Sequence, residues 1–336
     1  MTDDPADNAP LDPADRPPSE PPEHQSADAP VVVEEAGAST AAEVLAALDA
    51  QEAARGASLV DEAEHVRLRR FVDTGERAEG WQALAARRPG PDEALVGYAA
   101  VVLTDAGVAS GDVAVLAGTP AHPATETLKR LLAALAERAE AAAAVHLQMW
   151  VRLAGAPEID AAHAAGFTVA RRLGVLGTSL DDVEVVPPPE HWTIRPYRPD
   201  VDDEAVVAVL AGAYEGTDEA GWTLQQFQER RAYDWFRPED LLLAEDATGH
   251  LGGLHWLKRR TDAEGEVYNL AIAPSAQGAG LGGALLTAGL AHLRDVGCLD
   301  VVLWVDRANE RAVRLYERYG FTTRWDDIAF GRPLGG

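Results

Sequence analysis

Apolar positions along this chain fall into two alternating patterns. Short continuous runs rich in Val, Leu and Ala lie at 94–104, 113–117, 145–151, 241–244, 251–258, 267–273 and 301–305. Their length, β-branched content and bounding Gly, Pro or charged residues predict strands. Between them apolar residues recur at helical spacing. Leu281, Leu285, Leu286, Leu290, Leu293 and Val296 mark a helix that stops at Gly297, and Ala312, Leu315, Tyr316 and Tyr319 mark another that ends at Gly320. The alternation predicts an α/β protein with an α+β mixed sheet.

The pattern occurs twice, at an offset of 154 residues. GDVAVLAGTP at 111–120 overlays GEVYNLAIAP at 265–274, Trp150 and Val151 fall on Trp304 and Val305, and Gly166, Phe167 and Thr168 fall on Gly320, Phe321 and Thr322. Two copies of one fold are therefore expected. Residues 1–38 hold eight prolines, ten acids and a lone Arg16, a composition that cannot bury enough apolar surface to offset the entropy of ordering, so a disordered acidic tail is expected there. Three consecutive prolines, Pro187 to Pro189, favour an extended connection that neither a helix nor a central strand tolerates. The expected units are thus 39–182, a linker at 183–191, and 192–336.

Composition narrows the function. The chain has 336 residues and a formal net charge of −26, and the first 38 residues supply only nine of those charges. A surface this acidic repels phosphate backbones and anionic lipid, so neither nucleic acid nor a membrane is an expected partner. The acidic start lacks the basic and apolar segments of a secretory leader, and no apolar stretch is long enough to span a bilayer, so a cytoplasmic monomer is expected. Cys298, the only cysteine, can make neither an intrachain disulfide nor a thiolate metal cluster; it reads as a small buried side chain, and no metal is expected.

The chemistry concentrates in the second copy. Gln277, Gly278, Ala279, Gly280, Leu281, Gly282 and Gly283 leave a strand and enter a helix. Glycines let the backbone approach a ligand and turn its N–H groups toward one point, and the helix dipole adds partial positive charge there, which suits a pyrophosphate. The spacing matches neither the dinucleotide fingerprint nor the P-loop. It does resemble motif A of the GNAT acetyltransferases, Q-x-x-G-x-G/A after a strand ending in proline. The block Asn309, Glu310, Arg311, Ala312, Val313, Arg314, Leu315, Tyr316, with Gly320 and Phe321 after it, resembles motif B of the same family. Read as structure alone, Asn309 is a helix N-cap and Tyr316 a core aromatic. The resemblance implies that the loop and 309–314 hold acetyl-CoA, that Tyr316 protonates the departing thiolate, and that backbone N–H groups of Leu270, Ala271 and Ile272 polarise the acetyl oxygen. On the preceding strand, alternation by two places Glu266, Tyr268, Leu270 and Ile272 on one side, with Glu266 a few residues upstream as general base.

Four further stretches share order and spacing with the mycothiol synthase family, a tandem GNAT family whose first domain is degenerate. They are GTDEAGWT at 216–223, DWFRPEDLLLA at 234–244, GLHWLK at 253–258 and GEVY at 265–268. This resemblance implies acetylation of the cysteinyl amine of Cys-GlcN-Ins. It makes Asp218, Lys258, Glu266 and Trp304 substrate-binding, adds Glu62 through a stretch after Gly56 that resembles the family's G-V-A-P-V-G-E, and makes Glu266 and Tyr316 catalytic. Two positions depart from the family: glutamate is shortened to Asp218, and tyrosine becomes Trp304, whose indole cannot accept a hydrogen bond. In the first copy Gln277, Gly280, Gly282, Asn309 and Tyr316 become Pro123, Glu126, Leu128, Gly155 and Ala162, so that copy is expected to have lost every chemical position and, with them, CoA. Two other readings remain open: a GNAT enzyme for another small amine or a peptide N-terminus, and a non-catalytic CoA-binding sensor.

Overall fold

The structure is a computed structural model and describes residues 30–90, 93–104, 107–116, 124–216 and 221–335. Asp218 and Pro123 lie outside the described residues.

The first half runs β1 (Val32–Glu35), α1 (Ala38–Arg55), α2 (Glu62–Thr74), β2 (Trp81–Arg87), β3 (Leu95–Leu103), β4 (Val108–Val115), α3 (Ala124–Ala141), β5 (His146–Val151), α4 (Ala156–Ala164) and β6 (Thr168–Ser179). The second repeats that order as β7 (Trp192–Pro196), α5 (Asp203–Ala213), α6 (Leu224–Arg231), β8 (Leu241–Asp246), β9 (Leu251–Arg259), β10 (Glu264–Ile272), α7 (Leu281–Asp295), β11 (Asp300–Asp306), α8 (Glu310–Arg318) and β12 (Thr322–Pro333). The repeat read from the sequence is thus a repeat of elements. Its N-terminal limit needs correction, because β1 and the start of α1 fall inside the expected tail. Val31 and Ala36 are buried, and β1 pairs antiparallel with the outer edge of β2, which gives Val31 and Val33 an apolar surface to cover.

All twelve strands form one sheet, in the order β1-β2-β3-β4-β5-β12-β6-β11-β10-β9-β8-β7. Two self-contained sheets do not form. The last strand of each half sits in the other half: β12 pairs with β5 as well as β6, and β6 pairs with β11. The cores follow the strands. Ile328 and Phe330 of β12 pack with the first half's Leu128, Leu147 and Phe167, while Leu176 of β6 packs with Leu286, Leu303 and Phe321. Exchange of equivalent elements costs little because each finds the contacts its counterpart would make.

α7 lies on β9 and β10 with Leu281, Leu285, Leu286, Leu290 and Leu293 buried. Its apolar stripe ends one turn earlier than expected, since Val296 is its C-cap and is exposed. Cys298 is buried, as its position after Gly297 suggested.

His255 of β9 is fully buried, with its ring stacked where a Cβ on Gly289 would fall, 2.1 Å from Nδ1. Nδ1 is 2.8 Å from the Leu285 carbonyl oxygen, and burial holds the imidazole at a pKa of about 4 against 6.5. The folded state therefore excludes a proton that the unfolded chain accepts, and stability falls as pH drops from about 6.5 toward 4. At pH 5 the loss is about 2 kcal/mol. His255→Leu should flatten the fall in unfolding free energy between pH 7 and pH 5 by that amount, measured by denaturant unfolding at the two pH values beside the unsubstituted protein; an unchanged slope would show that His255 does not carry it.

Candidate active site

Two irregularities in β10 open the site. β10 runs parallel to β11 only through Glu264, Gly265 and Glu266, after which it continues to Ile272 paired with β9 alone. The two strands part just beyond Glu266. Tyr268 is then the extra residue of a β-bulge, since Val267 faces Leu257 and Asn269 faces Trp256. The bulge corrects the expectation that Glu266, Tyr268, Leu270 and Ile272 share one side, because an extra residue resets the alternation. Tyr268 packs with Trp256, Ala271 and Ala273 against α5 and α6, whereas Leu270 and Ile272 pack toward α7.

Where β10 ends, a short turn leads into the loop. Gly278 and Gly280 adopt φ of +82° and +88°, conformations that L side chains resist, and Gly280 is the N-cap residue of α7. A Cβ on Gly278 would meet nothing within 4 Å, so the loop faces open space. Gly283 has a different role: a Cβ there would lie 2.2 Å from the Tyr319 hydroxyl, so this glycine lets α7 approach α8. Gln277 ties the loop together by donating from Nε2 to the Ile272 carbonyl at 3.4 Å and accepting from Arg311 Nη1 at 2.8 Å. The uncharged loop thus has a guanidinium beside it, supplied by α8. Asn309 caps α8 by accepting from the Ala312 N–H at 3.1 Å. Tyr316 is buried and its ring lies 5.6 Å from that of Phe321.

Glu266 sits where the strands part, with its side chain 12% exposed. Its cross-strand neighbour in register is Lys258, and Arg260 Nη1 donates to its Oε2 at 3.3 Å. Burial raises the carboxyl above its ordinary value, while Arg260 and then Lys258 oppose the rise. The net displacement is upward, toward the range in which a carboxylate can take a proton near neutral pH. Lys258 Nζ lies 4.8 Å above the Trp235 ring and 3.3 Å from Glu62 Oε2 at the start of α2. The side chains of Glu62, Lys258 and Glu266 are therefore brought together from both halves. Trp304 stands apart from that group in one respect: its N–H is committed to Asp327 Oδ2 at 2.9 Å, which leaves its ring face, with Arg260 stacked 5.2 Å above it. Around Tyr268 lies an aromatic wall of Trp235 and Trp256, at 4.9 and 5.1 Å. Arg230 Nε donates to the Tyr268 hydroxyl at 3.0 Å. Among the described residues no group of three or more His, Cys, Asp or Glu side chains is placed to hold a metal ion, and no helix is long and apolar enough to cross a membrane.

The acetyltransferase (GNAT) family matches residues 204–321, which hold the loop, Glu266 and Tyr316. The mycothiol acetyltransferase of Stackebrandtia nassauensis is 37% identical over 309 residues, covering 90% of this chain and 98% of that protein. That of Saccharopolyspora erythraea is 35% identical over 306 residues, covering 86% and 100%. The chain belongs to the mycothiol acetyltransferase family. It is an N-acetyltransferase. Among solved structures, a GCN5-related N-acetyltransferase from Sphaerobacter thermophilus superposes with a TM-score of 0.69 at 21% identity, covering 92% of this chain and 98% of that one. A tandem GNAT protein from the clavulanic acid biosynthesis pathway gives 0.64 at 17%, covering 91% and 99%. These two establish the tandem GNAT fold.

Within this mycothiol acetyltransferase family member, the expectation that the first half lost every chemical position is corrected at one residue. Asp112 stands at the offset of Glu266 on the equivalent strand β4, 1% exposed, and burial pushes its carboxyl up to about 7 against the pull of Arg152. Arg152 Nη2 lies 3.5 Å from Asp112 Oδ1. The neighbouring cleft, lined by Arg55, Leu59, Val115, Leu116, Leu153 and Glu158, has a volume of about 130 Å³. Arg230, Arg260 and Asp327 carry no motif in the sequence, and Trp235 falls within the stretch at 234–244 without a role of its own. For Arg260 a signal existed: a tight hairpin between 258 and 266 forces residues of β9 and β10 into opposition, and opposite charges there pair across the strands.

Proposed function

We propose that this protein transfers the acetyl group of acetyl-CoA to the cysteinyl amine of Cys-GlcN-Ins, forming mycothiol. The observation that carries this reading is the shielded Glu266 carboxylate, held between Arg260 and Lys258 where β10 parts from β11, on the strand that leads into the glycine loop.

The fit to acetyl-CoA rests on the open face of the loop, its two left-handed glycines at the α7 N-terminus, and Arg311 beside Gln277. Residues 277–283 would hold the pyrophosphate through backbone N–H groups, with 309–314 alongside. Acetyl-CoA supplies the activated acyl group. Glu266 takes the proton from the incoming ammonium, and the freed amine attacks the thioester carbonyl. Of the Leu270, Ala271 and Ile272 backbone N–H groups, those of Leu270 and Ile272, which alternation turns away from β9, stabilise the negative charge that grows on the acetyl oxygen, and that of Ala271 faces β9. Tyr316 gives its proton to the departing thiolate, which leaves as a thiol, and the second proton of the attacking nitrogen, released as the C–S bond breaks and the amide forms, restores the tyrosine hydroxyl through solvent.

The acceptor end of the site suits a polyhydroxylated amine that carries no anionic group. Glu62, Lys258 and Asp218 offer charge-assisted hydrogen bonds to hydroxyls, while Glu62 and Glu266 attract an ammonium. Trp235 and Tyr268 add flat apolar surface of the kind on which sugar-like rings lie. A peptide N-terminus would leave those charged groups without hydroxyl partners, and unpaired polar groups in a site cost more than lost contacts. Comparing kcat/KM for Cys-GlcN-Ins, free cysteine and a short peptide tests the reading: the first should exceed the others by about a hundredfold or more. A peptide or an unrelated amine turned over as well as Cys-GlcN-Ins would overturn it.

A further inference from the structure

We propose that Asp327, carried into the centre of the sheet by the exchanged strand β12, is a positioning residue for acetyl transfer: it fixes the Trp304 indole, whose ring holds Arg260 against Glu266. The inference rests on the reading of Glu266 as the base.

A chain of contacts crosses the sheet from one half to the other. Asp327 is 1% exposed, and its carboxylate is fully engaged. Oδ1 accepts from the Leu153 N–H at 3.0 Å, and Oδ2 accepts from Arg152 Nη1 at 3.3 Å and from Trp304 Nε1 at 2.9 Å. Arg152 and Leu153 follow β5 in the first half, so the anchor belongs to that half while the indole belongs to the second. Over the face of that indole lies the Arg260 guanidinium, 5.2 Å from the ring centroid. The same guanidinium donates from Nε to Glu264 Oε1 at 3.1 Å and from Nη1 to Glu266 Oε2 at 3.3 Å. Its position is thus set by two carboxylates on one strand and one ring beneath it.

The ring is the only one of those supports that the first half controls. An indole with its N–H bonded to a buried carboxylate has one orientation. Without that acceptor its N–H is left unpaired, and turning to recover a partner moves the ring out from under Arg260. The charged and titratable groups facing Glu266 are Arg260 and Lys258 from β9 and the hairpin, Glu62 from α2, and Glu264 and Tyr268 on its own strand. Withdrawal of Arg260 removes the largest of the groups that favour the charged carboxylate. The titration of Glu266 therefore moves to higher pH. The sign is diagnostic, because simple loss of the negative charge at 327 would move it to lower pH.

This gives the degenerate half a chemical role. Apart from Glu62 at the acceptor end it contributes no group to the reaction, yet Arg152 and Leu153 hold the residue that orders the base's cation.

The test is the ¹³C titration of glutamate side-chain carboxyls in the full chain, with the Glu266 resonance assigned by its loss in Glu266→Gln. Asp327→Leu removes both charge and acceptor; the Glu266 midpoint is expected to rise by about half to one pH unit. Asp327→Asn removes the same charge but keeps an acceptor for the indole, and is expected to leave the midpoint at or slightly below that of the unsubstituted protein. Trp304→Phe removes both the tether to Asp327 and the larger ring on which Arg260 lies, and is expected to reproduce the upward shift, which serves should Asp327→Leu fail to fold. The acidic limb of kcat/KM follows the same order across the three variants. A midpoint that stays put in both Asp327→Leu and Trp304→Phe overturns the inference, whatever happens to Tm. Turnover that survives Glu266→Gln overturns the reading of the base instead, so the two failures are separate.

Discussion

Replacing Glu266 with glutamine lowers kcat by about two to four orders of magnitude and leaves the KM for acetyl-CoA within about threefold. The size follows from what the carboxylate does. An α-amino group enters largely protonated at neutral pH, and the ammonium has no lone pair with which to attack. Glutamine keeps the shape and one acceptor oxygen but cannot carry the proton away, so binding survives and chemistry does not. The surroundings reinforce this, because Glu266 is nearly enclosed and its carboxyl is raised chiefly by burial, with Arg260 opposing. Steady-state rates with both substrates varied check the expectation. Turnover within a factor of a few of the unsubstituted enzyme would mean that another group, or solvent, takes the proton.

Valine in place of Gly280 raises the KM for acetyl-CoA by about tenfold to a hundredfold with a modest loss of stability. Gly280 sits at φ +88° as the N-cap residue of α7, and a β-branched residue there carries strain of about 1–3 kcal/mol. Space is available: the nearest atom to an added Cβ is Pro189 Cγ at 3.7 Å, an ordinary contact. The strain is therefore relieved by reshaping the loop, which misaligns the N–H groups at the helix N-terminus. Gly283→Val provides the contrast. Its Cβ would fall 2.2 Å from the Tyr319 hydroxyl, so it separates α7 from α8 and should lower Tm more than it alters the KM. If both substitutions act on Tm alone, the loop does not hold the acyl donor.

The segments of the second half proposed to carry the chemistry were legible in the sequence because they are short and locally determined. A strand, a glycine loop and a helix N-terminus follow one another without a break from Glu266 to Leu281, and Asn309 caps α8 through a bond to a residue three positions away. The doubled order of elements was equally local. What the sequence hid was long-range. The exchange of β6 and β12 cannot be read from periodicity, since either strand satisfies the pattern in either half. Arg152, Asp327, Trp304 and Arg260 meet only because of that exchange, from positions up to 175 residues apart. The bulge at Tyr268 was hidden for another reason: alternation assumes a regular strand, and a single added residue reverses it. Glu62 is the instructive middle case. Only the short stretch from Gly56 marks it, through its resemblance to the family, and α2 brings it to Lys258 at 3.3 Å.

The central claim is that this chain acetylates one amine with acetyl-CoA and spares the thiol beside it. Its most direct measurement is the product itself: full-length protein incubated with acetyl-CoA and millimolar Cys-GlcN-Ins, the product analysed by mass and by thiol titration. One added acetyl group with the thiol still free, formed in step with CoA release, is the predicted result. No acetylated product, or acetyl found on sulfur with the amine unmodified, would contradict the account.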